Sequence, residues 1–222
     1  MKILPNGIAI LDQPDQLCQW VEESGKLCHD DALALHYLPH IKPGDVVIDA
    51  GAAIGDHAIA YAHATGNPAN VHAFECNPKM VECLRHNCPG VHVYPFALTH
   101  VVGLISLSEI EENFGASFIS SYTYQSGTVM VPSVSLDCLR FPKVDFIKWD
   151  IEGSETEAVR GSIDTIRRCR PKMIVEIYDA HLKRAGSSAT ELEKLIVSLG
   201  YNVSVLMGNP YEGRYEALCL PK

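Results

Sequence analysis

Asp49, Gly51, Gly55 and Glu75 are the residues whose types and spacing point most directly to chemistry. The first three sit in Val46-Val47-Ile48-Asp49-Ala50-Gly51-Ala52-Ala53-Ile54-Gly55, an apolar run ending in Asp-x-Gly-x-x-x-Gly. Glu75 ends a second apolar run, Val71-His72-Ala73-Phe74-Glu75. Glycines at such a turn let the backbone bend tightly and come close to a ligand. A carboxylate presents acceptors only, which suits the two hydroxyls of a ribose. The pattern reads as a nucleoside pocket; its bland counterpart is a tight strand-to-helix turn beside a surface glutamate.

Dinucleotides and S-adenosylmethionine are both bound on this plan, and glycine spacing separates them. A dinucleotide fingerprint needs Gly-x-Gly-x-x-Gly so that a pyrophosphate can rest on the helix N-terminus. Counting from Gly51, the chain places Ala53 and Asp56 where the later glycines belong. An aspartate at that helix start repels a pyrophosphate. S-adenosylmethionine has no phosphate, and Asp49 is well placed for its cationic sulfonium and ammonium groups. A nicotinamide-dependent oxidoreductase is therefore the weaker enzyme reading.

The elements that must position these residues follow from periodicity. Residues 46–48 read as a strand buried on both faces, started by the Pro43-Gly44 turn. A helix over 56–64, ended by Thr65-Gly66-Asn67-Pro68, and a strand over 71–74 close a βαβ unit of about thirty residues. Glu75 then lies at a carboxyl end of the sheet, where such folds bind ligands. Asn77-Pro78 starts a helix to about residue 86, residues 91–94 form a third strand, and Phe96-Ala97-Leu98 leaves it where an adenine edge belongs. Residues 101–139 lack a helical period and read as a β-rich insertion: strands over 103–107 and 128–134, with a loop over 109–121 whose Asn113, Phe114, Gly115 and Ser117 either face the ligand or are ordinary loop.

Beyond it, a strand over 144–149 runs into Asp150-Ile151-Glu152-Gly153. Ser154 with Glu157 predicts a capping box, and Ala158, Val159, Ser162, Ile163 and Ile166 form one buried face of a single helix that Pro171 stops. A fifth strand over 173–177, a helix over 188–199 and a hairpin of 202–207 with 215–220 complete an α/β sheet whose last strand is antiparallel. Ahead of the core at 44–222, residues 1–43 read as an extension packed on it, with a short strand over 8–11 and helices over 15–23 and 30–38. His29, Asp30 and Asp31 there suit either an acidic helix start or a cover for the methionine end of a cofactor.

Composition narrows the function classes. The 222 residues suffice for a core burying about seventy per cent of the unfolded chain's surface, so no disulfide or metal is needed for stability. A net charge of −9 argues against a nucleic-acid partner. The one basic cluster, Arg167, Arg168, Arg170 and Lys172, falls where it complements a helix C-terminus. No run reads as a membrane span or export signal, and eight cysteines without CxxC spacing fit reduced thiols in the cytoplasm. Cys76, Cys83, His86 and Cys88 match no zinc-finger spacing. Asn77-Pro78 is followed by Lys79, which departs from the motif of DNA base methylation.

The glycine block, Ala-Phe-Glu-Cys-Asn-Pro, Ser-Leu-Asp-Cys-Leu, Val-Asp-Phe-Ile-Lys-Trp-Asp-Ile-Glu-Gly-Ser-Glu and Pro-Lys-Met-Ile-Val-Glu-Ile, in this order, resemble the FkbM-type S-adenosylmethionine-dependent methyltransferases. Residues 145–153 are the most specific part. The resemblance implies a class I methyltransferase fold, a Rossmann-like three-layer sandwich of seven strands with the last antiparallel, and methyl transfer usually to oxygen. It implies a cofactor set of Asp49, Gly51, Ala52, Ala53, Gly55, Glu75, Cys76, Phe96, Ala97 and Asp150. The family commonly has Asn at the place of Ala53 and Pro at that of Cys76.

Methyl transfer is an in-line displacement that needs the acceptor atom about 3 to 3.5 Å from the methyl carbon. Taking water's pKa of about 15.7 as a guide and an aspartate near 3.9, full prior deprotonation of a hydroxyl costs about 16 kcal/mol. Either the proton moves with the methyl, or a bound cation lowers the hydroxyl's pKa first. The expected catalytic set is Asp150, Glu152 and Glu176, with His181 as an alternative base, and Asp150 and Glu152 are the expected ligands of any divalent metal. Glu152 as a mere helix-start charge and His181 as a loop residue are the competing structural readings. The expected acceptor is a small molecule or carbohydrate hydroxyl; a S-adenosylmethionine-binding protein without turnover is the non-enzymatic alternative.

Overall fold

Apolar runs without polar alternation are what parallel strands covered on both sides require, and they form the centre of the sheet. The computed structural model describes residues 1–27 and 33–222. Its main sheet has seven strands: β1 (Val47–Ala50), β2 (Val71–Phe74), β3 (His92–Tyr94), β4 (Phe146–Trp149), β5 (Lys172–Tyr178), β6 (Tyr201–Asn209) and β7 (Arg214–Pro221). Their spatial order is β6-β7-β5-β4-β1-β2-β3, with β7 antiparallel to both neighbours and the other pairs parallel. Every residue of β1 and β4 is buried, including Asp49 and Lys148.

Period-two alternation sorts the strands onto two cores. Val47, Phe146 and Ile174 pack with Ala58, Tyr61 and Ala62 of α2 (Asp56–Thr65) and Leu84 of α3 (Pro78–Asn87). Ile48, Ala50, Ile147, Trp149, Met173 and Val175 pack on the opposite face. Its covering helices are α4 (Glu155–Arg160), α5 (Ile163–Cys169), α6 (Asp179–Arg184) and α7 (Ala189–Ser198), whose Leu192 and Ile196 point inward. The register pairs Asp49 with Lys148 across β1 and β4, on the first of these faces. The sheet therefore carries two charges inside its own layer, next to its carboxyl ends.

Residues 97–134 build a second sheet of Ala97–Leu98, Val129–Val134, Gly103–Ser108 and Phe118–Ser121, in that order. The last strand falls inside the loop expected over 109–121, because Phe118 and Leu107 pair against Ser108 and Ile119. The N-terminal segment contributes a hairpin of Lys2–Ile3 with Ala9–Ile10, and α1 (Gln16–Ser24), capped by Asp15. Asn87 of α3 accepts from the Ala9 N–H at 2.7 Å and donates to its carbonyl at 2.8 Å. His29, Asp30 and Asp31 lie outside the described residues; the rest of the helix expected over 30–38 is a π-helical turn, Leu33–Tyr37, and a 3-10 turn, Leu38–His40.

Two local expectations are corrected. The single helix expected after Ser154 is broken into α4 and α5 at Gly161, which runs against the 99–100 backbone. Ser154 makes no capping bond, since its ψ of 6° is far from the extended value a cap needs. The buried Glu155 replaces it, accepting from the N–H groups of Ile151 at 3.0 Å and Gly153 at 3.2 Å. Of the basic cluster, Arg167 and Arg168 lie in the last turn of α5, while Arg170 donates to the carbonyls of Leu199 and Gly200 at the end of α7 and Lys172 to that of His40. Among the described residues, no helix is long and apolar enough to cross a membrane.

A Cβ at residue 161 would sit 2.2 Å from the Thr99 carbonyl oxygen. Gly161→Ala should therefore lower unfolding free energy by about 1–3 kcal/mol, through backbone displacement. Urea unfolding followed by far-UV circular dichroism measures this, and an unchanged midpoint would refute the packing account.

Candidate active site

Gly51 is where β1 leaves the sheet, and its backbone is in the left-handed region, φ +84°. Its N–H and that of Ala52 both donate to the Phe74 carbonyl at 3.0 Å. A Cβ on Gly51 would lie 1.8 Å from the Asp150 carbonyl oxygen, so only glycine lets the loops after β1 and β4 meet this closely. Gly55, φ +99°, faces elsewhere: a Cβ there would sit 2.5 Å from Sγ of Cys88, the residue after α3, and 3.0 Å from Leu84 of α3. Its role is to seat α2 against α3.

Between them, Ala53 holds φ +45° without being glycine, and its N–H donates to Glu75 Oε2 at 3.0 Å. The other oxygen, Oε1, accepts from the Asn77 N–H at 2.7 Å. Two backbone amides thus fix the carboxylate, and each oxygen keeps a lone pair for a ligand hydroxyl. Burial pushes the Glu75 carboxyl up to about 7 against the lowering effect of these amides.

Over the carboxyl ends lies a cavity of about 380 Å³. Its lining includes Ala50, Gly51, Ala53, Phe74, Glu75, Cys76, Phe96 and Ala97 at and after β1, β2 and β3, and Asp150, Glu152, Glu176, Arg214 and Glu216 at and after β4, β5 and β7. Asn113, Phe114, Gly115 and Ser117 of the insertion reach its wall, as the sequence suggests. Asp49, Ala52 and Gly55 are absent from the lining. Asp49 lies beneath the floor, fully buried, with neither carboxylate oxygen hydrogen-bonded among the described residues. Burial pushes its carboxyl up to about 7 despite the nearby Lys148 ammonium.

Lys148 is the buried cation of the site, its Nζ 3.0 Å from Asp150 Oδ2. Burial disfavours its charge, but Asp150, Asp49 and Asp56 outweigh that and hold its pKa well above the ordinary lysine value. Burial likewise works against the Asp150 charge, and Lys148 outweighs it, keeping Asp150 below the usual carboxylate range. The Glu176 carboxyl, next to Asp150, goes the opposite way. Burial and the charges of Asp150, Glu152 and Glu155 push it up to about 9, while Arg214 stands 3.2 Å from its Oε1. The pair is thus driven apart, Asp150 toward its ionised form and Glu176 toward its protonated one.

Glu152 has φ +58°, which turns its side chain toward α6. Its Oε2 is 2.8 Å from His181 Nδ1, without the alignment of a hydrogen bond. His181 sits on a helix, not in the loop of its competing structural reading, and reaches the site through Glu152. Burial, then Asp150 and Glu155, push Glu152 up to about 7; burial, Arg184 and Arg214 push His181 down.

A family model, the Methyltransferase FkbM domain, matches residues 49–203. The chain belongs to the FkbM methyltransferase family. It is 31% identical over 170 residues to the hexuronic acid methyltransferase AglP of Haloferax volcanii, covering 72% of this chain and 64% of that protein. The chain thus spans somewhat under two thirds of this relative's length. Its fold is similar to the FkbM methyltransferase of Methylobacillus flagellatus, with TM-score 0.55 and 17% identity, covering 79% of this chain and 43% of that one. It is equally similar to a TehB-like S-adenosylmethionine-dependent methyltransferase of Corynebacterium glutamicum, with TM-score 0.55 and 10% identity over 92% and 94% of the two chains. The fold is that of the class I methyltransferases, with the expected seven-stranded sheet and antiparallel last strand.

The cavity suits the family's cofactor, S-adenosylmethionine. Glu75 offers a ribose clamp, Cys76, Phe96 and Ala97 an apolar edge, and the carboxylates a negative field for the cationic end. The metal expectation shifts. Among the described residues, the group of His, Cys, Asp or Glu whose ligand atoms converge within 4.8 Å is Glu152, Glu176 and His181, whereas Asp150 is engaged by Lys148. Lys148, Glu155 and Arg214 escape sequence reasoning. A buried lysine alternating with apolar residues in a strand was the available signal for the first.

Asp49, Glu75, Glu152 and Glu155 all have folded-state values near 7, above their ordinary range, because of burial. Between about pH 4 and 7 the folded state binds more protons than the unfolded one, so stability falls as pH rises through this window. The melting temperature of the unliganded protein should drop from pH 5 to pH 8, and S-adenosylmethionine should reduce the drop by supplying positive charge. Differential scanning fluorimetry with and without ligand tests this; a rising midpoint would contradict the burial account.

Proposed function

We propose that this chain transfers the methyl group of S-adenosylmethionine to an oxygen of a carbohydrate acceptor of the hexuronic acid class. The observation that carries the reading is the carboxylate cluster at the ends of β4 and β5, which lines the same cavity as Glu75 after β2. The relative's name, a hexuronic acid methyltransferase, supports the acceptor class. When bound, the cofactor supplies an electrophilic methyl carbon on a sulfonium.

The protein's part is to hold the acceptor in line and manage one proton. Asp150, kept ionised by Lys148, accepts a hydrogen bond from the acceptor hydroxyl and orients it. Protonated Glu176 donates to Asp150 and limits the repulsion between the two carboxyls. Glu152 is the better base, because a pKa near 7 lies closer to that of the group it must deprotonate. With water's 15.7 as the guide again, prior deprotonation by such a base costs about 12 kcal/mol instead of about 16. The proton still moves together with the methyl group. His181, beside Glu152, relays it to solvent. Arg214, which lines the cavity beside Glu176, is the cation that would meet the acceptor carboxylate.

Calorimetry with S-adenosylhomocysteine and with NAD should give a signal for the first alone. Methyl transfer should favour a methyl hexuronoside over the neutral methyl hexoside, and equal transfer to both would remove the hexuronic part of the reading. Asp150→Asn should lower kcat at least about a hundredfold with S-adenosylhomocysteine affinity kept within severalfold. Wild-type turnover would take Asp150 out of the mechanism.

A further inference from the structure

We propose that Asp15, in the N-terminal segment, is a positioning residue for the cofactor: its carboxylate latches residues 113–117 into the cavity wall. The inference rests on S-adenosylmethionine binding as proposed above and says which part of the chain completes that site.

Asp15 is 5% exposed, and its two oxygens have separate tasks. Oδ1 accepts from the Cys18 N–H at 2.9 Å, capping α1. Oδ2 accepts from the Phe114 N–H at 2.7 Å, in a segment remote in sequence. Around this joint the Gln16 N–H donates to the Glu112 carbonyl at 2.8 Å, and Asn113 Nδ2 donates to Gln16 Oε1 at 3.3 Å. Both joined pieces face the cavity: α1 through Gln16, Leu17 and Trp20, and the insertion through Asn113 to Ser117.

The same segment is tied to the residues that hold Glu75. Asn77, whose N–H fixes Glu75 Oε1, donates through Nδ2 to Glu109 at 3.2 Å, and Lys79 pairs with Glu109 at 2.9 Å. Lys79 also lies 4.3 Å over the Phe114 ring, which packs with Leu11, Val21 and Met80. The ribose end of the cavity is thus anchored to α3 at one side and to Asp15 at the other. Neither wall piece belongs to the main sheet, so their relative placement depends on these joints.

An aspartate is needed because two amides must be accepted at once. Asp15→Ser keeps a good helix cap and leaves the Phe114 N–H without its partner. Asp15→Asn keeps the shape but retains one acceptor oxygen. For both variants, Kd for S-adenosylhomocysteine and KM for S-adenosylmethionine should rise about tenfold. The kcat value should stay within about twofold, and amide exchange over 113–117 should accelerate. Wild-type affinity in both variants would overturn the latch. So would a parallel loss of kcat and melting temperature, which would make Asp15 merely structural. A wild-type protein that fails to bind S-adenosylhomocysteine would remove the functional reading as well, whereas wild-type binding retained in the variants removes the latch alone.

Discussion

A single buried ammonium organises the charges at the carboxyl ends of this sheet. Lys148 reaches its place because β4 lies parallel to β1 in a register that sets it beside Asp49, and the next outlet along its own strand is Asp150. An unpaired lysine in such a layer would surrender its proton or unfold the strand. Here carboxylates surround it, so it remains charged and keeps Asp150 charged in turn. The consequence spreads outward. Burial and an ionised Asp150 raise Glu176 and Glu152, so the acids of the site are spread apart in proton affinity. Pairs of acids driven apart in pKa by their surroundings are how a site divides donor and acceptor roles.

The parts legible in the sequence are those governed by local chain properties. The runs of β1 and β4 declare themselves by unbroken burial and that of β2 by burial interrupted at His72 alone, and Asp15, Asn77 and Ser188 mark helix starts where the structure has them. Gly51 and Glu75 are readable because a turn and an acid at the ends of consecutive parallel strands must share one edge of the sheet. Illegible parts depend on what approaches from elsewhere. The break at Gly161 exists because the Thr99 carbonyl lies against it, and Glu155 is needed because the turn before α4 leaves two amides facing inward. The helix that carries His181 is short and has no apolar period to reveal it.

Position 53 shows how a departure from a family pattern is tolerated. Judged by side chain, alanine there removes a hydrogen-bonding group beside the cofactor. Its contribution in the structure comes from the backbone, whose N–H grips Glu75 from a left-handed conformation. Asparagine adopts that conformation more readily than alanine does. The alanine therefore keeps the geometry with some strain, which the bond to Glu75 and the neighbouring Gly51 turn over-determine.

Burial at the site works against the unliganded protein. Asp49 has two unsatisfied oxygens under the cavity floor, and Glu75 is held near neutrality above it. A cationic ligand lowers the free energy of both ionised forms, so part of its binding free energy is relief of repulsion already present in the fold. That relief is greatest for a ligand with positive charge close to the floor and smallest for a neutral or anionic nucleoside. A pyrophosphate would meet the same field with the opposite sign, and the discrimination first visible in the glycine spacing is repeated in the electrostatics of the folded cavity.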